Sequence, residues 1–161
     1  KFPSDLYVLV GAPKKEASED CLKICVELGV TKVFFWFSEY SELKNFKEDR
    51  FERVLNSSVL QSNNPSPPIF SLIHSLESEL DWDNFKNIVL CSNQLESNIF
   101  KTQNKSFEKG KTLVIFGPEG GFSQIELHRR ATMIFSFNTH ILRTPNAISY
   151  GVGQIDALSV L

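Results

Sequence analysis

The chain has 161 residues, 42% hydrophobic and 22% charged, with a formal net charge of -2. That is enough for one domain with a real core. It holds no apolar run near the ~18 residues a membrane helix needs, and it lacks the basic footprint of a domain that grips nucleic acid by itself. An RNA substrate therefore stays open, provided another domain or subunit supplies the basic surface. The opening KFPSDLYVLV lacks the basic head, apolar middle and small-residue cleavage site of a secretory signal. It starts at Lys1 rather than at an initiator methionine, so a fragment of something longer is expected.

In chain order, LYVLVGA (6–12) reads as a buried strand. KKEASEDCLKICVELG reads as a helix capped by Ser18, with an apolar face of Cys21, Leu22, Cys25 and Leu28, stopped at Gly29. VFFWF (33–37) is a second strand. EDRFERVLNSSVLQS carries Phe51, Val54, Leu55, Ser58 and Val59 at helical spacing and is ended by NNPSPP. The charges from Lys44 to Arg53 read as a solvated surface. IFSLIH, IVLCS (88–92), TLVIF (112–116) and MIFSFN (133–138) are four more strands, and the tail from Asn146 is helical. Strands apolar throughout, alternating with helices, predict an α/β fold with a mostly parallel sheet and helices on both faces.

The three cysteines, Cys21, Cys25 and Cys91, are an odd number without a secretory signal, which points to a reducing cytoplasm. Cys21 and Cys25 are expected as small buried hydrophobes. His74, His128 and His140 are scattered, so no metal site is expected. Trp36, Trp82 and most of the fourteen phenylalanines are expected in the core.

Two stretches stand out. In FGPEGGFS (116–123), three of the chain's eight glycines fall within five positions, directly after a strand. Glycine lets a ligand approach the backbone without a Cβ in the way. Ser123 and Glu126 form a capping box for a following helix, and Phe122 and Leu127 stand as its hydrophobic staple. No lysine follows the glycines as a phosphate-binding loop requires, and Glu119 would repel phosphate. From the loop alone, a tight structural turn and a site for a neutral or cationic ligand both stand. The second stretch is HILRTPNA (140–147). There Arg143 is either a donor to backbone carbonyls or a cation aimed at a substrate. Pro145 disfavours helix at Thr144, and Asn146 is the candidate cap of the last helix.

Together, IFGPEGGFSQIE and the later ILRT resemble the RsmE-type family, small-subunit ribosomal RNA uridine-N3 methyltransferases of the SPOUT superfamily. CVELGVTKVFFWFSEYS resembles the family's "ATELGV…ERS" stretch and VLQS its "AEQSGR" helix, so the resemblance covers nearly the whole chain. It implies a SPOUT-type α/β knot over residues 1–161, with a C-terminal trefoil knot, acting as a homodimer. It implies S-adenosylmethionine as cofactor, held by the loop after the fourth strand (Leu90, Cys91), by Phe116, Gly117, Pro118, Gly120 and Gly121, and by Asn138, Ile141, Leu142, Arg143, Asn146 and Ala147. Small-subunit ribosomal RNA would be the partner, in the cytoplasm, with neither membrane nor metal. Arg143 would stabilise the uridine anion and Glu119 would hydrogen-bond ligand or loop; these are the candidate catalytic residues. Gly151, Gly153 and Ala157 would allow close helix packing in the dimer.

The chain departs from the family in places. "ILRTETA" reads ILRTPNA, with Pro145 and Asn146 in place of the acidic residue and threonine, and "LG" reads Thr139-His140. Family basic positions fall at Ile24, Tyr40 and Asn64. The N-terminal PUA-like barrel of the family is expected to be absent from this chain, since no all-β segment precedes residue 6. The alternative reading is a degenerate homologue, or a non-enzymatic dimeric RNA-associated module.

Overall fold

A computed structural model describes residues 5–37, 41, 46–92, 107–117, 127, 129–137 and 142–159. Among these, six strands form one sheet: β1 (Leu6–Gly11), β2 (Lys32–Trp36), β3 (Ile69–Ile73), β4 (Asn87–Ser92), β5 (Thr112–Phe116) and β6 (Met133–Ser136). Their order is β3-β2-β1-β5-β4-β6, and every pairing is parallel. Three longer helices are described: α1 (Lys15–Glu27), α2 (Glu48–Ser62) and α3 (Thr144–Ser159).

The pleat sends alternate residues to opposite faces. Val8, Val10, Val33, Phe35, Val89, Cys91, Val114 and Phe116 meet α1, α2 and α3 through Cys21, Leu22, Cys25, Phe51, Ile148, Val152 and Ile155. Leu9, Phe34, Ile88, Leu90, Leu113 and Ile115 face the other way. That second face is closed by the 74–86 segment, through Leu80, Trp82 and Phe85, and by Leu127. The expectation of helices on both faces is met unevenly, with all three longer helices on one side. On the other side lie a loop with a 3-10 turn at Trp82–Asn84 and a helical backbone at Leu127 and Arg129–Arg130. Connection handedness explains the division. Strands β1, β2 and β3 advance in one direction and β5 to β6 in the other, so right-handed crossovers fall on opposite faces. Phe35 is fully buried and edge-on to Phe51 at 5.5 Å; truncating it to alanine costs about 3–5 kcal/mol.

Helix α1 starts earlier than its sequence signal. Ser18 is inside the helix, buried, and its hydroxyl donates to the Pro13 carbonyl at 2.9 Å rather than capping. Lys14 holds the cap position and makes no side-chain cap bond. The stop is as expected. Gly29 has φ +70, the Gly29 N–H donates to Val26 O at 3.2 Å and the Val30 N–H to Cys25 O at 3.0 Å, which is the Schellman pattern.

Helix α2 has the expected bounds and ends on Asn63 in the left-handed region at φ 52. Next to it, the Asn64 amide donates to Val26 O at 2.8 Å and ties the end of α2 to the end of α1. Arg50 is exposed, as expected of this surface, and its guanidinium also donates from Nε and Nη2 to both oxygens of buried Glu19.

Helix α3 begins at Thr144, two residues before the expected start. Pro145 lies in the first turn, where the missing N–H had no partner to lose. The Arg143 carbonyl accepts the first helical bond, from the Ala147 N–H at 2.9 Å. Asn146 is therefore an exposed first-turn residue and not the cap.

Candidate functional site

Six parallel strands end at one edge, and ligands of open parallel sheets bind beyond that edge. The described part of the candidate site lies at the ends of β4 and β5 and the start of α3. Phe116, last in β5, is 2% exposed and stands in register between Val10 and Cys91. Gly117 follows it, half-buried. Cys91 stands between Phe116 and Phe135. Phe116, Cys91 and Ala147 join one core cluster, with Leu142 packed against it. Leu90 is buried on the opposite face, so only its backbone can serve the site.

Arg143 and Asn146 are exposed on the rim of this apolar floor. The guanidinium of Arg143 has no hydrogen-bond partner among the described residues. Predicted site residues Leu90, Cys91, Phe116, Gly117, Leu142, Arg143, Asn146 and Ala147 are described. Pro118, Glu119, Gly120, Gly121, Asn138 and Ile141 lie outside the described residues, as do Ser123 and Glu126 of the expected capping box. Leu127, the expected staple partner, is helical and buried.

Burial raises the thiols of Cys25 and Cys91, and raises Cys21 with help from Cys25 and Asp20. All three are free and buried. No cluster of potential metal ligands occurs among the described residues.

One residue at the site was misread from sequence. Gly151 was assigned to a dimer contact, but it is buried inside the chain, and a Cβ there would lie 2.8 Å from Cε1 of Phe116 and 3.2 Å from Sγ of Cys91. The readable signal was a glycine inside a helix, which weakens the helix unless packing demands it. Gly153 has nothing within 4 Å of such a Cβ, and Ala157 is exposed. The Tyr150 ring stands edge-on to Phe137 at 5.1 Å.

A family model described as an RNA methyltransferase domain matches residues 1–155. Ribosomal RNA small subunit methyltransferase E of Rickettsia conorii is 25% identical over 161 residues, covering 96% of this chain and 65% of the relative. The protein of the same name from Bacillus subtilis is 26% identical over 170 residues, covering 96% of this chain and 66% of the relative. The chain thus spans about two-thirds of the length of these curated relatives. The crystal structure of ribosomal RNA small subunit methyltransferase E from Neisseria gonorrhoeae, bound to S-adenosyl methionine, matches with a TM-score of 0.78 at 22% identity. It covers 98% of this chain and 68% of that one, a likeness of fold.

Proposed function

This chain belongs to the RNA methyltransferase domain family, and from that premise we propose that it binds S-adenosylmethionine and methylates N3 of a uridine in small-subunit ribosomal RNA. The observation that carries the reading is the apolar floor of Phe116, Ala147 and Leu142 with the exposed cation of Arg143 on its rim. An apolar floor suits an adenosine, and a free cation suits an anionic base. Curated relatives that match most of the chain are named ribosomal RNA small subunit methyltransferase E.

Bound S-adenosylmethionine would supply an electrophilic methyl group on a sulfonium. The chain's own work is positioning and charge. The uridine N3 proton would pass to solvent water, and Arg143 would offset the negative charge left on the base. The N3 anion would be the methyl acceptor, with S-adenosylhomocysteine as the leaving group. Alignment of the partners supplies most of the rate. Glu119 is assigned a hydrogen bond to ligand or loop. Backbone groups after Leu90 and Cys91 and along Phe116, Gly117, Pro118, Gly120 and Gly121 hold the adenosine, together with Asn138, Ile141, Leu142, Asn146 and Ala147.

The same reading includes a C-terminal trefoil knot, a homodimer and a cytoplasmic setting. The packing of α3 on Phe116 of β5 and Cys91 of β4 is compatible with the knot. Three free thiols agree with a reducing compartment.

Titration calorimetry with S-adenosylmethionine tests the proposal. Binding in the micromolar range, about -8 kcal/mol, and methyl transfer to small-subunit RNA are expected. A folded chain that takes up no S-adenosylmethionine overturns it.

A further inference from the structure

Gly151 lies one turn beyond Ala147 in α3, and its backbone does not demand glycine: the described glycines with left-handed or otherwise positive φ are Gly29 and Gly110. Glycine inside a helix is unfavourable unless space requires it. Here space does. A Cβ on Gly151 would stand 2.8 Å from Cε1 of Phe116, 3.0 Å from its Cζ and 3.2 Å from Sγ of Cys91. None of these neighbours is the loose end of a flexible side chain. Phe116 is 2% exposed and Cys91 6%, and each is held in register between two other strands. A methyl group would have to lift α3 by about 1 Å to reach ordinary contact. The same helix carries Ala147 in the shared core and follows Arg143 directly.

We propose that Gly151 is a positioning residue: its missing side chain sets the height of α3 over the ends of β4 and β5, and so sets where Arg143 and Asn146 stand. Its consequence for binding rests on the methyltransferase reading; its consequence for the start of α3 does not. Gly153, two residues on and in open space, has no such role.

Two measurements on the same variants decide it: amide hydrogen exchange and S-adenosylmethionine titration. Gly151→Ala is expected to lose protection at the Ala147 amide while the β1 amides keep theirs, and to bind S-adenosylmethionine about 10- to 100-fold more weakly. Gly153→Ala is expected to keep at least the parent's protection at Ala147 and the parent's affinity. Phe116→Leu, which removes the ring atoms nearest Gly151, is expected to restore protection and part of the affinity when combined with Gly151→Ala. The pair would then be non-additive. If Gly151→Ala alone does not fold, the double variant is compared with Phe116→Leu alone: equality supports the role, and a further loss overturns it. Parent-like exchange and affinity in Gly151→Ala, an equal loss in Gly153→Ala, or simple additivity would also overturn it. If the parent binds no S-adenosylmethionine, the methyltransferase reading fails, and exchange at Ala147 still decides the role of Gly151.

Discussion

Arg50 grips both carboxylate oxygens of Glu19, 31 positions away, and so pins α2 to α1 on one face of the sheet. The Glu19 side chain is 8% exposed and that of Arg50 47%, so the pair is closed on the carboxylate side and open to water on the other. The hydrogen bonds from Arg50, then its charge, hold the Glu19 carboxyl below its ordinary range despite burial. A group with a lowered folded value contributes stability above its unfolded value and loses it as pH falls through the folded one. Melting temperature is therefore expected to fall in acid below about pH 4.5. Arg50→Met is expected to melt lower than the parent at pH 7 and to lose less between neutral and acidic pH. Parallel pH profiles for the two proteins would refute the assignment.

Thiol titration should separate native from unfolded protein completely. Cys21 and Cys25 have no exposed surface and Cys91 is 6% exposed, and burial raises all three thiols. Near-neutral solution leaves them protonated and shielded. A thiol reagent is expected to label none quickly in the native chain and all three in guanidinium.

Two glycines should respond to alanine in opposite directions. Gly29 holds φ +70 in the Schellman turn after α1, so Gly29→Ala is expected to destabilise by roughly 1 kcal/mol. Gly153 is helical with open space around it, so Gly153→Ala is expected to stabilise by about 0.5–1 kcal/mol. Denaturant midpoints at unchanged slope measure both.

Asn87 joins the start of β4 to the segment that leads into β5. It is 3% exposed, and its amide donates to the Glu108 carbonyl at 2.8 Å and to Thr112 Oγ1 at 3.0 Å, while its oxygen accepts from the Glu108 N–H at 3.0 Å. Asn87→Ala is expected to cost about 1–3 kcal/mol, read by urea unfolding.

Arg143→Ala separates binding from chemistry. The Arg143 carbonyl, which every residue has, starts α3, so removing the side chain should leave the fold intact. Turnover on small-subunit RNA is expected to fall at least 100-fold with S-adenosylmethionine affinity changed far less, as for a group that stabilises charge in the transition state. Retained turnover would remove Arg143 from the catalytic role.

The readable features were local ones. The apolar runs identified the six strands, TLVIF with its full bounds, while β6 stops short of Phe137, which is buried without being strand; Asn138 lies outside the described residues. Helix α2 was legible end to end, since its periodic face is followed by Asn63 and the proline-rich turn. Helix starts were less legible. Ser18 looks like a cap but bonds back to Pro13, and Asn146 looks like a cap but follows a proline that fits the first turn of α3.

What the sequence by itself determined was the alternation of buried strands with amphipathic helices, the burial of the cysteines, the stop at Gly29 and the family carried by GPEGG and ILRT. Each depends on residues within a turn or a pleat of one another, where spacing alone fixes which side chains meet. What only the tertiary structure decided was the strand order, the bond between Arg50 and Glu19, the tie from Asn64 to Val26, and the contact of Gly151 with Phe116 and Cys91. These join positions that meet only once the crossovers have chosen a face of the sheet, and no short-range pattern records that choice.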